Sequence, residues 1–383
     1  MPTIVYFVHG MGCGTATGSP DPSSSWTDSI KDVTKWMTTT FGLQKTTWVD
    51  GIPSSPPSAD PDAIWFVPVS YHDVFDDFRR DAAGREALKV QATVAQISDA
   101  QITRLTSAPF LWTNCLDVLL WAMDTAITQR QVMTTVLNTI TAVDALARRL
   151  KKGTVRRILV SHSLGTAVAT AALHNLGNSP DWIAMGGFDL VVTLANVAPF
   201  LFPDDADIYG PPLIPASMRS ITQVLLNVRN DADPVPWLLP WRAWNIPRSG
   251  PFAAEWQNSA SLSRCRTLAT SGVAALDSWS PEITQVHGFA NYMMAPGTAE
   301  FLAGMIRGAL FTPAELSALQ WPAKWTTLNR LSCIKNPTQL QDLTRDVLQI
   351  QGQAFPGTGT PTSGWFDRLL NAADMLVKAR AQC

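Results

Sequence analysis

Ser163 stands in Ser161-His162-Ser163-Leu164-Gly165, between the apolar run Val155 to Val160 and the small-residue segment Thr166 to Leu173. A strand, a tight turn centred on serine and then a helix together lift a hydroxyl off the edge of a sheet. The flanking residues must be small because strand and helix pass so close. Ser161 occupies the position of the first glycine in the usual G-x-S-x-G pattern, a small substitute expected to cost the turn some strain. The bland alternative is a tight structural turn. A hydroxyl is a weak nucleophile until a base takes its proton, and the chain offers five histidines: His9, His72, His162, His174 and His287. His174 falls on the helix leaving the turn and would point away from Ser163. His287, in Gln285-Val286-His287-Gly288-Phe289-Ala290-Asn291-Tyr292, remains as the base, against the alternative of a solvated loop residue. In such an arrangement an acid follows the serine and precedes the histidine, which places it after the apolar run Ile221 to Val228. Asp231 and Asp233 both qualify; Asp233 is preferred because Pro234 fixes the chain direction just beyond it, while Asp231 can cap the turn.

Negative charge developing on an oxygen during acyl transfer needs waiting backbone donors. The N–H of Leu164, first in the helix, is one. The second is expected after an early strand, where Val8-His9-Gly10-Met11-Gly12-Cys13-Gly14 lets the backbone approach a substrate and Met11 would donate. A phosphate cradle is the rival reading of these glycines, but Gly10, Gly12 and Gly14 lack the G-x-G-x-x-G spacing, and no acidic partner follows a second strand at the required distance. Asp204, Asp205 and Asp207 lack a calcium-loop pattern, and the five cysteines are scattered without a CxxC pair. No metal or cofactor is expected.

Short, nearly continuous apolar runs must carry these residues. Thr3 to Val8, Ala63 to Val69, Val155 to Val160, Asp189 to Ala195 and Ile221 to Val228 read as buried strands, with a sixth around Arg264 to Ala269. Their alternation with helical patterns predicts an α/β fold, a mostly parallel sheet covered on both faces. Ile140, Val143, Leu146, Ala147 and Leu150 mark a helix before the third strand, closed by basic residues and Gly153. Residues 71–154 exceed one crossover helix, so 71–127 is read as a helical insertion. Its stripe of Trp112, Leu116, Leu119 and Met123 suits either a lid or a helix buried against the core. Residues 19–25 and 53–61 are rich in Ser, Pro and Asp and read as loops. Beyond residue 298 the pattern is helical, with Pro313 to Gln320, Pro337 to Gln351 and Gly364 to Ala381 as candidates. The chain thus divides into a catalytic unit over 1–297 and a helical extension over 298–383.

The 383 residues carry 29 basic and 31 acidic side chains, a net charge of −2 that argues against nucleic acid as the main partner. Hydrophobic residues at 46% exclude disorder as the main state. Charged residues at only 16%, with 15 Trp, fit either a protein that meets apolar partners, a membrane surface included, or a well-filled core. Phe110 to Met123 is too short to span a bilayer. The opening residues lack a basic region ahead of their apolar run, so a cytoplasmic location is the default, with signal-less export the alternative. The oligomeric state is not legible.

These residues resemble the α/β-hydrolase superfamily, and within it serine lipases and esterases. The resemblance spans roughly residues 3–295 and rests on the Ser161 to Gly165 turn, on Asn230-x-x-Asp233-x-Val235-Pro236 with Leu239-Pro240 beyond, which is similar to the acid loop of class 3-type lipases, and on His287 followed by Tyr292. His9-Gly10 resembles the dipeptide preceding the oxyanion donor. Ser161 in place of glycine, the long insertion and the tail depart from the pattern. The resemblance implies hydrolysis of a hydrophobic small-molecule or lipid ester by Ser163, His287 and Asp233, with Met11 and Leu164 at the oxyanion. His9, Gly10 and Trp237 would contact substrate; Trp237, Trp241 and Trp244, with Trp112 and Trp121, could line an acyl groove or simply pack. Acyl transfer, thioester or amide cleavage, a secreted phospholipase effector and a non-catalytic binding protein are the rival readings.

Overall fold

The computed structural model describes residues 1–10, 22–75, 100, 121, 128–150, 154–177, 185–197, 225–230, 266–270, 273–274, 288–295, 297–309 and 325–326. Seven strands form one sheet: β1 (Thr3–Val8), β2 (Thr46–Trp48), β3 (Ile64–Val69), β4 (Arg156–His162), β5 (Leu190–Leu194), β6 (Leu225–Asn230) and β7 (Arg266–Thr270). They lie in the order β2-β3-β1-β4-β5-β6-β7, and every neighbouring pair is parallel. Six of the seven coincide with the apolar runs expected to be strands. β2 was not anticipated, since three residues over Thr46–Trp48 leave no periodicity to detect. A separate antiparallel pair joins β8 (Val273–Ala274) to β9 (Trp325–Thr326).

Side chains alternate across the sheet, so the two faces of β1 carry different sets. Val5 and Phe7, with Ile158, Val160, Val192, Leu194, Leu226 and Val228, form one buried layer. Against it pack Ile30, Val33 and Met37 of helix α1 (Pro22–Phe41), and Phe289, Tyr292, Phe301, Leu302 and Ile306. The last five belong to α4 (Phe289–Met293) and α5 (Thr298–Arg307). On the opposite face Tyr6 reaches α2 (Thr128–Leu150), its hydroxyl donating to Ile140 O at 3.1 Å. Helix α3 (Leu164–Gly177) packs beside α2 and beneath β1 and β4. α5, which follows the expected boundary at 297, shares the core of the sheet rather than a core of its own. Its C-terminal end accepts a hydrogen bond at Ile306 O from Arg156 Nη1 at 2.9 Å.

Two expectations need correction. Residues 22–25 are the first turn of α1, not a loop. Their Pro-Ser composition suggested a turn, but proline suits the first turn of a helix, and Trp26, Ile30, Val33 and Met37 recur at steps of four, three and four. Nor does Ser161 carry strain: it is regular β4 backbone, fully buried, its hydroxyl donating to Val192 O at 3.2 Å. The tail helices, Gly153 and most of the insertion lie outside the described residues. Trp121, from the insertion, is fully buried and its carbonyl accepts from Gln129 Nε2 at 2.5 Å. No helix among the described residues is long and apolar enough to cross a membrane.

Candidate active site

From β1 the chain crosses to β2 at the sheet edge, steps back to lay β3 beside β1, and then passes β1 to place β4 and its successors on the other side. Loops leaving the carboxyl ends of β1 and β4 therefore diverge, and in open parallel sheets such a reversal opens a crevice for ligands. His9 and Gly10 follow β1 at this point, and Ser163 follows β4.

Ser163 has φ 54°, in the left-handed region that side chains rarely adopt. Its N–H donates to Leu194 O of β5 at 3.0 Å. Its carbonyl accepts twice from Thr166, from the N–H at 2.8 Å and from the hydroxyl at 2.7 Å. The same Thr166 hydroxyl accepts from Val197 N–H at 3.0 Å, linking the turn to the chain leaving β5. Neighbouring groups thus hold the serine in a conformation it would not choose by itself. Leu164 opens a helix of 14 residues, so its N–H is one of the first-turn donors without an intrahelical partner and sits at the positive end of the helix dipole.

The approach of β1 to this turn explains the small residues. A Cβ on Gly10 would come within 2.6 Å of Ser163 Cβ and 2.9 Å of His162 O. One on Gly165 would come within 2.5 Å of Val8 O and closer still to His9 O. Neither position has room for a methyl group.

His9 is 1% exposed, and its ring stacks on Tyr71 at 4.0 Å and 10°. Trp26 and His72 stand around it at 4.7 and 5.9 Å. Its Nδ1 lies 2.6 Å from Gly10 O, and its own carbonyl accepts from the Tyr71 hydroxyl at 2.5 Å. The imidazole is thereby packed into the protein. Gly10 brings its backbone against the serine turn.

Next to Gly10, the buried His162 ring packs against Phe289 at 6.0 Å and Tyr292 at 5.8 Å, both from α4. The Tyr292 hydroxyl accepts from Asn230 N–H, the last residue of β6, at 3.3 Å. The residue ending β6 and the helix entered from Gly288 therefore meet beside the serine turn. Met11, Asp231, Asp233, Trp237 and His287 lie outside the described residues. No family model, curated protein or solved structure matches this chain.

Sequence reasoning passed over Tyr71 and Thr166. Thr166 carried a readable signal, a hydroxyl in the first turn of the helix three residues after the serine. Tyr71 carried a weaker one, a polar aromatic just past the carboxyl end of an apolar strand. Among the described residues no group of three His, Cys, Asp or Glu side chains is placed to hold a metal ion.

Proposed function

We propose that the protein is a serine carboxylic-ester hydrolase of α/β-hydrolase type, acting on a hydrophobic small-molecule or lipid ester. The observation that carries this reading is Ser163 held at φ 54° between a central parallel strand and the N-terminus of a helix, where the sheet order reverses. Lys45 and Ala195 share the left-handed conformation, but of these three it is Ser163 that combines it with a hydroxyl at the start of a helix and three hydrogen bonds to its backbone. The junction of Asn230 with Tyr292 supports the choice of partners. Asp233 follows Asn230 by three residues and His287 directly precedes Gly288, and consecutive Cα atoms lie about 3.8 Å apart.

In this mechanism Ser163 Oγ attacks the ester carbonyl while His287 takes its proton, and Asp233 holds the imidazole in the right tautomer. The N–H groups of Leu164 and Met11 receive the oxyanion. His287 returns the proton to the departing alcohol, leaving an acyl-enzyme that water hydrolyses by the same steps. Trp237 remains a candidate for the acyl-binding wall.

The test is hydrolysis of a chromogenic short-chain ester. Ser163→Ala and His287→Ala are each expected to lower kcat by about 10⁴-fold or more with the melting profile retained, and full activity in either overturns the assignment. Asp233→Asn is expected to cost far more than Asp231→Asn; a reversed order transfers the acid role to Asp231.

A further inference from the structure

We infer that His9, seated on Tyr71, is a positioning residue for the oxyanion donor of residue 11. This rests on the ester-hydrolase reading and assigns His9 a role other than substrate contact. Gly10 O can only accept, so the 2.6 Å contact requires that His9 Nδ1 carry the proton and donate. The Gly10 carbonyl and the N–H of residue 11 belong to one planar peptide unit, in which a trans bond points them in opposite directions. A donor that grips the carbonyl therefore sets the direction of the N–H, and also polarises the unit so that its N–H donates more strongly.

The grip is itself braced. The His9 ring lies flat on Tyr71 at 4.0 Å, and Tyr71 closes the loop by donating to His9 O at 2.5 Å. One aromatic residue thus fixes both the plane of the imidazole and the peptide that bears it. Trp26 at 4.7 Å closes another side, and the ring is 1% exposed, so water does not compete for Nδ1. Gly10 at the same time touches the Ser163 turn so closely that no side chain fits between them. A rotation of the peptide that follows Gly10 would therefore move the donor relative to the serine.

Substitutions can separate these parts. His9→Phe keeps a ring on Tyr71 and removes the donor. His9→Asn keeps an amide N–H near the Nδ1 position, and Tyr71→Phe keeps the seat without its hydroxyl. The readout is the ratio of kcat/KM for an ester to that for its thionoester, whose sulfur fits an oxygen-sized pocket of N–H groups poorly. This ratio does not depend on the amount of folded enzyme. His9→Phe is expected to lower kcat by about 10- to 100-fold with KM nearly unchanged and to shrink the ratio. His9→Asn should recover most of both, and Tyr71→Phe should fall between. Ester kinetics and a ratio equal to wild type in both His9→Phe and Tyr71→Phe would overturn the inference while leaving the hydrolase reading intact.

Labelling by a fluorophosphonate keeps the two apart, since the Ser163 Oγ–P bond forms as the P–F bond breaks and fluoride leaves. Wild-type protein that labels while Ser163→Ala does not sustains the hydrolase reading. Absence of Ser163-dependent labelling in wild type removes that reading and the inference with it.

Discussion

At Gly165 a single methyl group would meet the carbonyls of Val8 and His9 at once, both of them main-chain atoms of the central strand and its exit. Neither can retreat without breaking the β1 pairing, so Gly165→Ala is expected to cost about 3 kcal/mol or to abolish folding, as read by urea denaturation. Thr166→Val keeps volume but removes the hydroxyl shared by Ser163 O and Val197 N–H. It should cost about 1–3 kcal/mol and, on the proposed ester-hydrolase reading, reduce kcat as the serine loosens. Tyr6 lies away from this site, at the other face of β1. Burial first, and then the Asp144 carboxylate, push its hydroxyl well above the ordinary tyrosine range, against the opposing charges of Arg157 and Arg148. The folded chain thus holds this proton more tightly than the unfolded one. The resulting stability is complete below about pH 10 and is lost as the pH climbs through that value towards the folded one. Urea midpoints should fall along this alkaline limb in wild type and fall less steeply in Tyr6→Phe. The serine turn was legible because its determinants are local: small residues, an apolar run before them and a helix after. The His9 clamp was not, because its partner Tyr71 is distant in sequence and a stacked ring leaves no trace in spacing.

Among the elements, α2 shows how periodicity succeeds and where it stops. Val136, Ile140, Val143 and Ala147 face the sheet as their spacing requires, yet Asp144 lies among them, fully buried. Its carboxylate accepts from Arg157 Nε at 2.5 Å and from Arg148 Nε at 2.7 Å, so one acid ties α2 to the start of β4. Removing one partner of a buried pair strands the other charge. Asp144→Ala should therefore destabilise by about 3–5 kcal/mol, and Asp144→Leu with Arg157→Met by much less, in a comparison of urea midpoints. A helix pattern reports which residues are apolar, not which charges the packing will enclose, and that is why this pair escaped notice. α1 escaped differently: Pro22-Ser23-Ser24-Ser25 reads as a loop when taken alone, and only the stripe from Trp26 to Met37 reveals the helix. α4 is too short for any period, though Phe289 and Tyr292 place it against His162.

For the molecule as a whole, the parallel sheet could be anticipated because β1, β3, β4 and β5 are buried along nearly their whole length and so read as continuous apolar runs. Their order could not, since nothing in a run of valines and isoleucines names its neighbour. Phe301 of α5 joins the layer built on β1, β4 and β6. Phe301→Ala should accordingly cost about 3–5 kcal/mol and lower the melting temperature of the sheet itself rather than of a detachable tail. The position of β1 also bears on biosynthesis. Thr3 pairs with Ile64 on one side and Arg156 on the other, so a strand translated before either neighbour ends between both. During synthesis its apolar length stays exposed until the ribosome has delivered β4, and pairings this distant form slowly. Nascent chains should need shelter from aggregation over that interval, and refolding from denaturant should lose yield as protein concentration rises.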